Sequence, residues 1–371
     1  MNDRAISLLE QYDIEVLKTR KGRGAFICDT RQGSMILKEY SGNLQRLPLQ
    51  QQVLQRIKEI GLVKAEELIA TRDGLLYVKD HEGTCYILKT YYEGCECNIY
   101  DGRECVEAVQ QLARLHHCMD GGLLQQDTDA KEEWLHLTNY MPLKEYEKHN
   151  RELNRVWSYL KKKGQKQLFE RRLLGEMAYF SEQARQVTES WRQWECDSMS
   201  LSVCHGDYQY HNIIRTQEGW RILNFEKVMF DNPVRDLYLF LRKVMEKNNW
   251  LIPLGEELLA AYQAIRHLDE QSEKELYYRF AYPEKFWKIV NFYYNSGKAW
   301  IPEKNLEKLE KVIFQEAEKQ NFLTAVFEEK WDGRFKMSGE RSRQQNVWLK
   351  AAETGSATES PDKGSGDMGK G

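Results

Sequence analysis

"HGDYQYHNIIRTQEGWRILNFEK", residues 205–227, sets polar clusters on both sides of a short turn. Its runs "HNIIRT" and "WRILNF" are rich in β-branched and aromatic residues, and Gln217-Glu218-Gly219 divides them, which reads as a β-hairpin. Asp207 and Asn212 precede this hairpin, and Asn224 and Glu226 follow it. Phosphoryl transfer needs a carboxylate that accepts or orients the acceptor hydroxyl proton, oxygen ligands for magnesium, a lysine on the phosphates and a loop over them. Asp207 and Asn212 have the spacing for the first two of these parts. A polar turn explains the residue types alone, but not their place between two differently patterned halves of the chain. His205 reads as a structural histidine that packs and hydrogen-bonds the loop.

Upstream, "EVLKT", "AFICDT", "SMILKEY", "LLYVKD" and "TCYILKTY" are β-like runs separated by "RKGRG", "RQG" and "HEG". They predict an antiparallel sheet of about five strands. Between the third and fourth runs, "PLQQQVLQRIKEIG" places Leu49, Val53, Leu54 and Ile57 on one helical face, with Pro48 in the first turn and Gly61 at the end. Gly22 and Gly24, in "KGRGAF", bring backbone amides toward phosphates if this turn is the phosphate loop. Lys38 lies on the third strand and shares a face with Ile36, where a lysine would reach phosphates. Lys89, in "ILKTY", repeats the local pattern, and Lys38 is preferred because the helix follows it. That helix offers Gln51, Gln52 and Gln55 where kinases present a glutamate to the lysine, and an amide orients an ammonium without neutralising it.

From about Asn98 the pattern turns helical. "DGRECVEAVQQLARLHHCM" opens with Asp101 and Glu104 at capping-box spacing and carries Val106, Val109 and Leu112 or Ala113 on a buried stripe. After the hairpin, "DLYLFLRKVMEK" sets Leu237, Phe240, Leu241 and Val244 at helical spacing. The expected fold is therefore α+β and protein-kinase-like: a β-rich nucleotide lobe at 1–94, a helical lobe with the catalytic hairpin at 95–335, and a disordered tail at 336–371.

The chain has 371 residues, with 54 Lys+Arg against 57 Asp+Glu and a formal net charge of -3, which does not recommend nucleic acid as a partner. No stretch approaches a membrane span, and the opening residues lack a signal-peptide pattern, so the expectation is an unexported protein without a span. The eight cysteines are read as reduced thiols. Cys95, Cys97, Cys105, His116, His117 and Cys118 match no zinc spacing with a mechanism. Twenty tyrosines and ten tryptophans are read as packing.

"CHGDYQYHNII", "ILNFEK", "PVRDLYLFLRKVMEKNNW" and "YYEGCECN" resemble the CotS family of spore-coat proteins of endospore-forming bacteria, itself similar to aminoglycoside phosphotransferases and choline kinases. The resemblance runs from about residue 5 to 330. It implies a two-lobed fold of the aminoglycoside phosphotransferase type in a protein of the spore coat, with other coat proteins as partners. A nucleotide and a hydroxyl-bearing small molecule or saccharide are further implied partners. By the same resemblance Asp207 is the catalytic aspartate and Asn212 the first metal ligand. Asn224 stands where active small-molecule kinases carry a metal-binding aspartate, Glu226 follows as a second acidic position, and Asp236 braces the catalytic loop. ATP and Mg are the implied cofactors. Magnesium prefers carboxylate and water oxygens, so Asn224 leaves three outcomes open: a slow kinase using Glu226, a nucleotide-binding pseudokinase, or a structural scaffold. An ordinary cytosolic kinase for an amino sugar or choline-like alcohol would carry a carboxylate at 224.

Overall fold

The computed structural model describes residues 7–22, 25–120, 134–136, 141–194, 201–295 and 302–329. The chain divides into a first unit, Met1–Val326, and a second, Phe327–Gly371. Of the second unit only residues 327–329 are described, so the tail expected at 336–371 lies outside the described residues.

Its N-terminal part is an antiparallel sheet built from β1 (Val16–Gly22), β2 (Ala25–Thr30), β3 (Gly33–Glu39), β4 (Leu68–Ile69), β5 (Val78–Lys79) and β6 (Cys85–Thr90). The order is β1-β2-β3-β6-β4, with β5 also paired to β6. Met35, Leu37 and Leu88 face Leu8, Leu9, Tyr12, Cys28 and Val78 in a small apolar core. On β3 the intervening Ile36 and Lys38 point to the opposite face. The register pairs Ile36 with Lys89 and Lys38 with Ile87, so both lysines lie on that second face as diagonal neighbours.

Helix α1 (Leu47–Ile60) follows β3, starts with proline in its first turn and stops at Gly61, whose φ of 73° needs a residue without Cβ. Its buried stripe includes Leu49, Val53, Leu54 and Ile57, as the periodicity predicts, and also Gln50. The sheet has six strands instead of about five, because β4 is two residues long and too short to show a period.

The helical lobe comprises α2 (Gly102–Met119), α3 (Pro142–Lys162), α4 (Leu168–Trp194), α5 (Val234–Lys247), α6 (Ile252–Gln263), α7 (Glu270–Ala281), α8 (Glu284–Asn295), α9 (Pro302–Phe314) and α10 (Glu316–Leu323). Asp101 caps α2 by accepting from the amides of Arg103 and Glu104. Glu104 does not close a capping box; its carboxylate reaches back to the Asn98 amide at 2.8 Å. The buried stripe of α2 runs through Cys105, Ala108, Val109, Leu112 and Ala113, with Val106 only partly buried. Leu143, Leu153, Leu173, Met177, Phe180 and Phe286 belong to an apolar core between α3, α4 and α8.

The hairpin of the sequence is β9 (Ile213–Thr216) and β10 (Gly219–Ile222), with Gly219 at φ 102° closing the turn. It is not isolated: β7 (Cys95–Glu96) adds to β9, and β8 (Ser202–Cys204) pairs with β11 (Met229–Asp231). These short ladders clamp residues 205–228 at both ends.

Candidate functional site in the hairpin cleft

Asp236 positions the loop at 205–207. It is the third residue of α5 rather than its N-cap, and its side chain turns back to accept from the His205 amide at 2.6 Å and the Gly206 amide at 2.9 Å. His116, from α2, completes the arrangement. Burial pushes its pKa below the ordinary histidine value, and in the neutral ring Nε2–H donates to Asp236 Oδ2 at 3.3 Å while Nδ1 accepts from the Tyr262 hydroxyl at 2.7 Å. Burial opposes ionisation of Asp236, but the His116 hydrogen bond and loop amides outweigh it and hold the carboxyl below the usual carboxylate range. His205 uses both ring nitrogens on backbone: Nε2–H donates to the Leu223 carbonyl at 3.0 Å, and Nδ1 accepts from the Asp207 amide at 3.2 Å.

Gly206 has φ 78°, and a Cβ there would lie 2.0 Å from the Lys227 carbonyl oxygen. The loop and the 224–227 segment therefore touch backbone to backbone, and only glycine fits. Asp207 Oδ2 pairs with Lys227 Nζ at 2.9 Å, while Oδ1 accepts from Gln209 at 3.1 Å.

Lys89 lies at the centre of the site. Its ammonium donates to Glu66 at 2.8 Å, Asn224 Oδ1 at 2.8 Å and Glu226 Oε1 at 3.1 Å. The side chains of Lys89 and Glu66 are 5% and 1% exposed, so this is a buried ion pair. Burial pulls the Lys89 pKa down, yet Glu66 and Glu226 outweigh it and leave the group above its ordinary value. Glu66 reaches the site because the chain at 64–66 is laced to β10: the Glu66 amide donates to Ile222 and the Ile222 amide to Lys64, both at 3.0 Å. Its carboxylate also accepts from the Phe225 amide at 3.2 Å.

An ammonium only donates, so Lys89 fixes the orientation of each amide beyond it. Asn224 must present Oδ1 to Lys89, and its Nδ2 then donates to Asn212 Oδ1 at 2.7 Å. Asn212 in turn donates through Nδ2 to the Asp207 carbonyl at 2.8 Å. A single run of donors passes from Lys89 through Asn224 and Asn212 to the loop. Asn224 sits at φ 65°, ψ 60°, a left-handed conformation that Asn and Asp tolerate better than other side chains.

Of the sequence candidates, Asp207, Asn212, Asn224, Glu226 and Lys38 are brought together. Lys38 is the outer member, donating to Glu226 Oε1 at 3.1 Å with its side chain 38% exposed. Burial favours the neutral acid at Glu226, but Lys89 and Lys38 prevail and hold it down at about 2. Gly22 ends β1, whereas Gly24 lies outside the described residues. On α1, Gln50 is the buried glutamine, and neither of its amide atoms has a hydrogen-bond partner. The sequence pattern ranks Lys89 behind Lys38 and gives no sign of Glu66 or Lys227. Alternation along "CYILKT" places Lys89 on the face of Ile87, but only the cross-strand register sets it beside Ile36 and Lys38.

Residues 6–326 match the family described as "Spore coat putative kinase YutH". The chain belongs to this family. It is also 25% identical over 324 residues to spore coat protein S of Bacillus subtilis (strain 168), a match that covers 84% of this chain and 89% of that one. Among solved structures, an aminoglycoside phosphotransferase from Alicyclobacillus acidocaldarius superposes with a TM-score of 0.71 at 17% identity, covering 86% of this chain and 94% of that one. The AMP-bound spectinomycin phosphotransferase APH(9)-Ia gives 0.63 at 13% identity, covering 88% and 98%. The two-lobed fold is thus that of the aminoglycoside phosphotransferases, in a spore-coat family.

The donor chemistry of the site does not fit a magnesium ion. Both amide oxygens are taken by internal N–H donors, and the Glu226 carboxylate is neutralised by two lysines. Glu66, Glu226 and Asp207 already face Lys89, Lys38 and Lys227, so the site itself offers a bare divalent cation no uncompensated carboxylate charge. Among the described residues no helix is long and apolar enough to cross a membrane.

Proposed function

We propose that this protein serves the spore coat as a kinase-fold component whose phosphoryl-transfer cleft is held closed by internal lysines. The observation that carries this reading is Lys89: a buried ammonium, bound to Glu66, occupies Asn224 Oδ1 and Glu226 Oε1, where a metal would need oxygen ligands. In an active site of this layout the metal neutralises phosphate charge and places it in line with the acceptor. Here the Asp207 carboxylate is engaged by Lys227, and the neutral amides of Asn212 and Asn224 satisfy each other and the loop. What the site supplies is rigidity, a fixed wall between the two lobes. Other coat proteins are its expected partners, and its place of action is the coat. A slow kinase using Glu226 is disfavoured because both lysines sit on its Oε1, so a metal at the same carboxylate would lie close to two ammonium groups.

The test measures phosphate release and transfer from ATP with magnesium or manganese, alongside thermal stabilisation by nucleotide, for the natural chain, Asp207→Ala and Asn224→Asp. The natural chain is expected to show no metal-dependent turnover and no metal-dependent stabilisation, and Asn224→Asp to show at least the stabilisation. Turnover by the natural chain that disappears in Asp207→Ala would falsify the proposal.

A further inference from the structure

Away from the cleft, the C-terminal half of α5 forms one wall of a cavity of about 290 Å³, completed by the end of α7, the start of α8, α9 and α10. Its lining holds seven lysine and arginine side chains against three glutamates. Those glutamates are committed. Glu246 holds Arg242 at 2.5 Å, Glu284 accepts from Tyr238 and pairs with Lys288, and Glu316 accepts from Gln183 and Gln320, each at 2.7 Å.

The remaining cations are poorly matched. Among the described residues Lys243, Lys247 and Lys311 have no carboxylate within ion-pair distance, and the nearest carboxylate oxygen to Lys285 is at 3.9 Å. Lys319 is the most informative, since its side chain is only 9% exposed. Its ammonium donates to the Ala281 carbonyl at 3.3 Å, and its nearest carboxylate, Glu316, is at 3.9 Å. Burial, with neighbouring cations, pulls Lys243, Lys285 and Lys319 below the ordinary lysine value. Solvated surface lysines repel one another weakly. Here Trp250, Phe280 and Phe286 line the same space and thin the water, so the uncompensated charge is felt more strongly.

We propose that this cavity binds a small multivalent anion, a phosphate ester or a di- or tricarboxylate, with Lys319 at its base and Lys243 and Lys285 at its rim. It is separate from the hairpin cleft. Asp236 meets the 205–207 loop at the start of α5, and Glu246 lies about 15 Å farther along the helix axis at the ordinary rise per residue.

Pyrophosphate and citrate serve as probes in calorimetric titration and thermal unfolding of the full chain, with ionic strength fixed by KCl. At least one should bind with Kd below about 1 mM and raise the unfolding temperature. Pyrophosphate alone assigns the phosphate class, citrate alone the carboxylate class, and both together a general polyanion site. Binding should weaken about tenfold or more in Lys319→Met and in Lys243→Gln/Lys285→Gln, and persist in the cleft variant Lys38→Gln/Lys227→Gln. Without anion, Lys319→Met should unfold no earlier than the natural chain, because it removes a buried charge that lacks a close counter-charge; this separates lost binding from misfolding. No response above KCl, equal binding in the cavity variants, or loss of binding in the cleft variant overturns the proposal.

Discussion

Replacing Lys89 with methionine keeps the length of the side chain and removes its charge. The Glu66 carboxylate, 1% exposed, then keeps the Phe225 amide but no counter-charge from Lys89, and Asn224 Oδ1 loses its donor; Glu226 retains Lys38. Removing one member of a buried ion pair costs roughly 3–5 kcal/mol, because the survivor stays desolvated. For a unit ending at Val326, an unfolding entropy of about 2.1 cal/mol/K per residue amounts to roughly 0.7 kcal/mol/K, so a loss of about 4 kcal/mol lowers Tm by about 6 °C. The loss should be smaller at pH 5 than at pH 8, since a stranded buried carboxylate takes up a proton and sheds its charge. Lys89→Met/Glu66→Gln keeps an acceptor for the Phe225 amide and removes the stranded charge, so it should recover more than half of the loss. Thermal unfolding of the natural chain, the single variant and the double variant at both pH values is the assay. A Tm drop below about 2 °C for Lys89→Met, or a double variant as unstable as the single one, would refute the assignment of Lys89 as the buried counter-charge.

Gly206→Ala should cost about 2–4 kcal/mol in urea unfolding, since its Cβ would meet the Lys227 carbonyl and its φ is positive; a change within about 0.5 kcal/mol would contradict the backbone contact. Glu226 has a folded pKa near 2, below its unfolded value, so its contribution is complete above about pH 4.5 and is lost as pH falls through 2. The gap in stability between the natural chain and Glu226→Gln should accordingly narrow by roughly 3 kcal/mol over that acid window; a constant gap would show that the lysines do not hold the carboxylate ionised. Asp236→Asn should destabilise by about 3 kcal/mol and expose the 205–207 amides to hydrogen exchange, because a single amide oxygen replaces a carboxylate that accepts from two backbone N–H groups and His116; unchanged protection would remove Asp236 from its positioning role.

What is legible in the sequence is whatever depends on neighbours along the chain. The hairpin around Gly219, the α1 stripe ending at Gly61, the Asp101 cap and the spacing of Asp207 and Asn212 are all local, and the fold follows from their order. The partner of a buried charge is another matter. Lys89 meets Asn224 across 135 residues, and its pairing with Glu66 rests on an irregular segment laced to β10, so no window of sequence displays it. The preference for Lys38 follows from the helix after it, yet both lysines reach Glu226 because two distant strands share one register. Likewise β4, β8 and β11 are two or three residues long and declare themselves only by their partners.

The left-handed backbone at Asn224 has a consequence for the history of such a chain. Asparagine and aspartate are the side chains that best tolerate that conformation, and a single base change interconverts them. The backbone at 224 thus admits either side chain, but a carboxylate there would set an oxygen against Asn212 Oδ1, which now accepts from Asn224 Nδ2, so Asn212 would have to turn as well. The firmer commitment lies in the Lys89–Glu66 pair, whose loss on one side strands the other, so that reversal there requires two coordinated changes. Chains of this fold should thus change at 224 together with 212, and at 66 together with 89, and comparing those four positions across relatives would reveal which pair changed first.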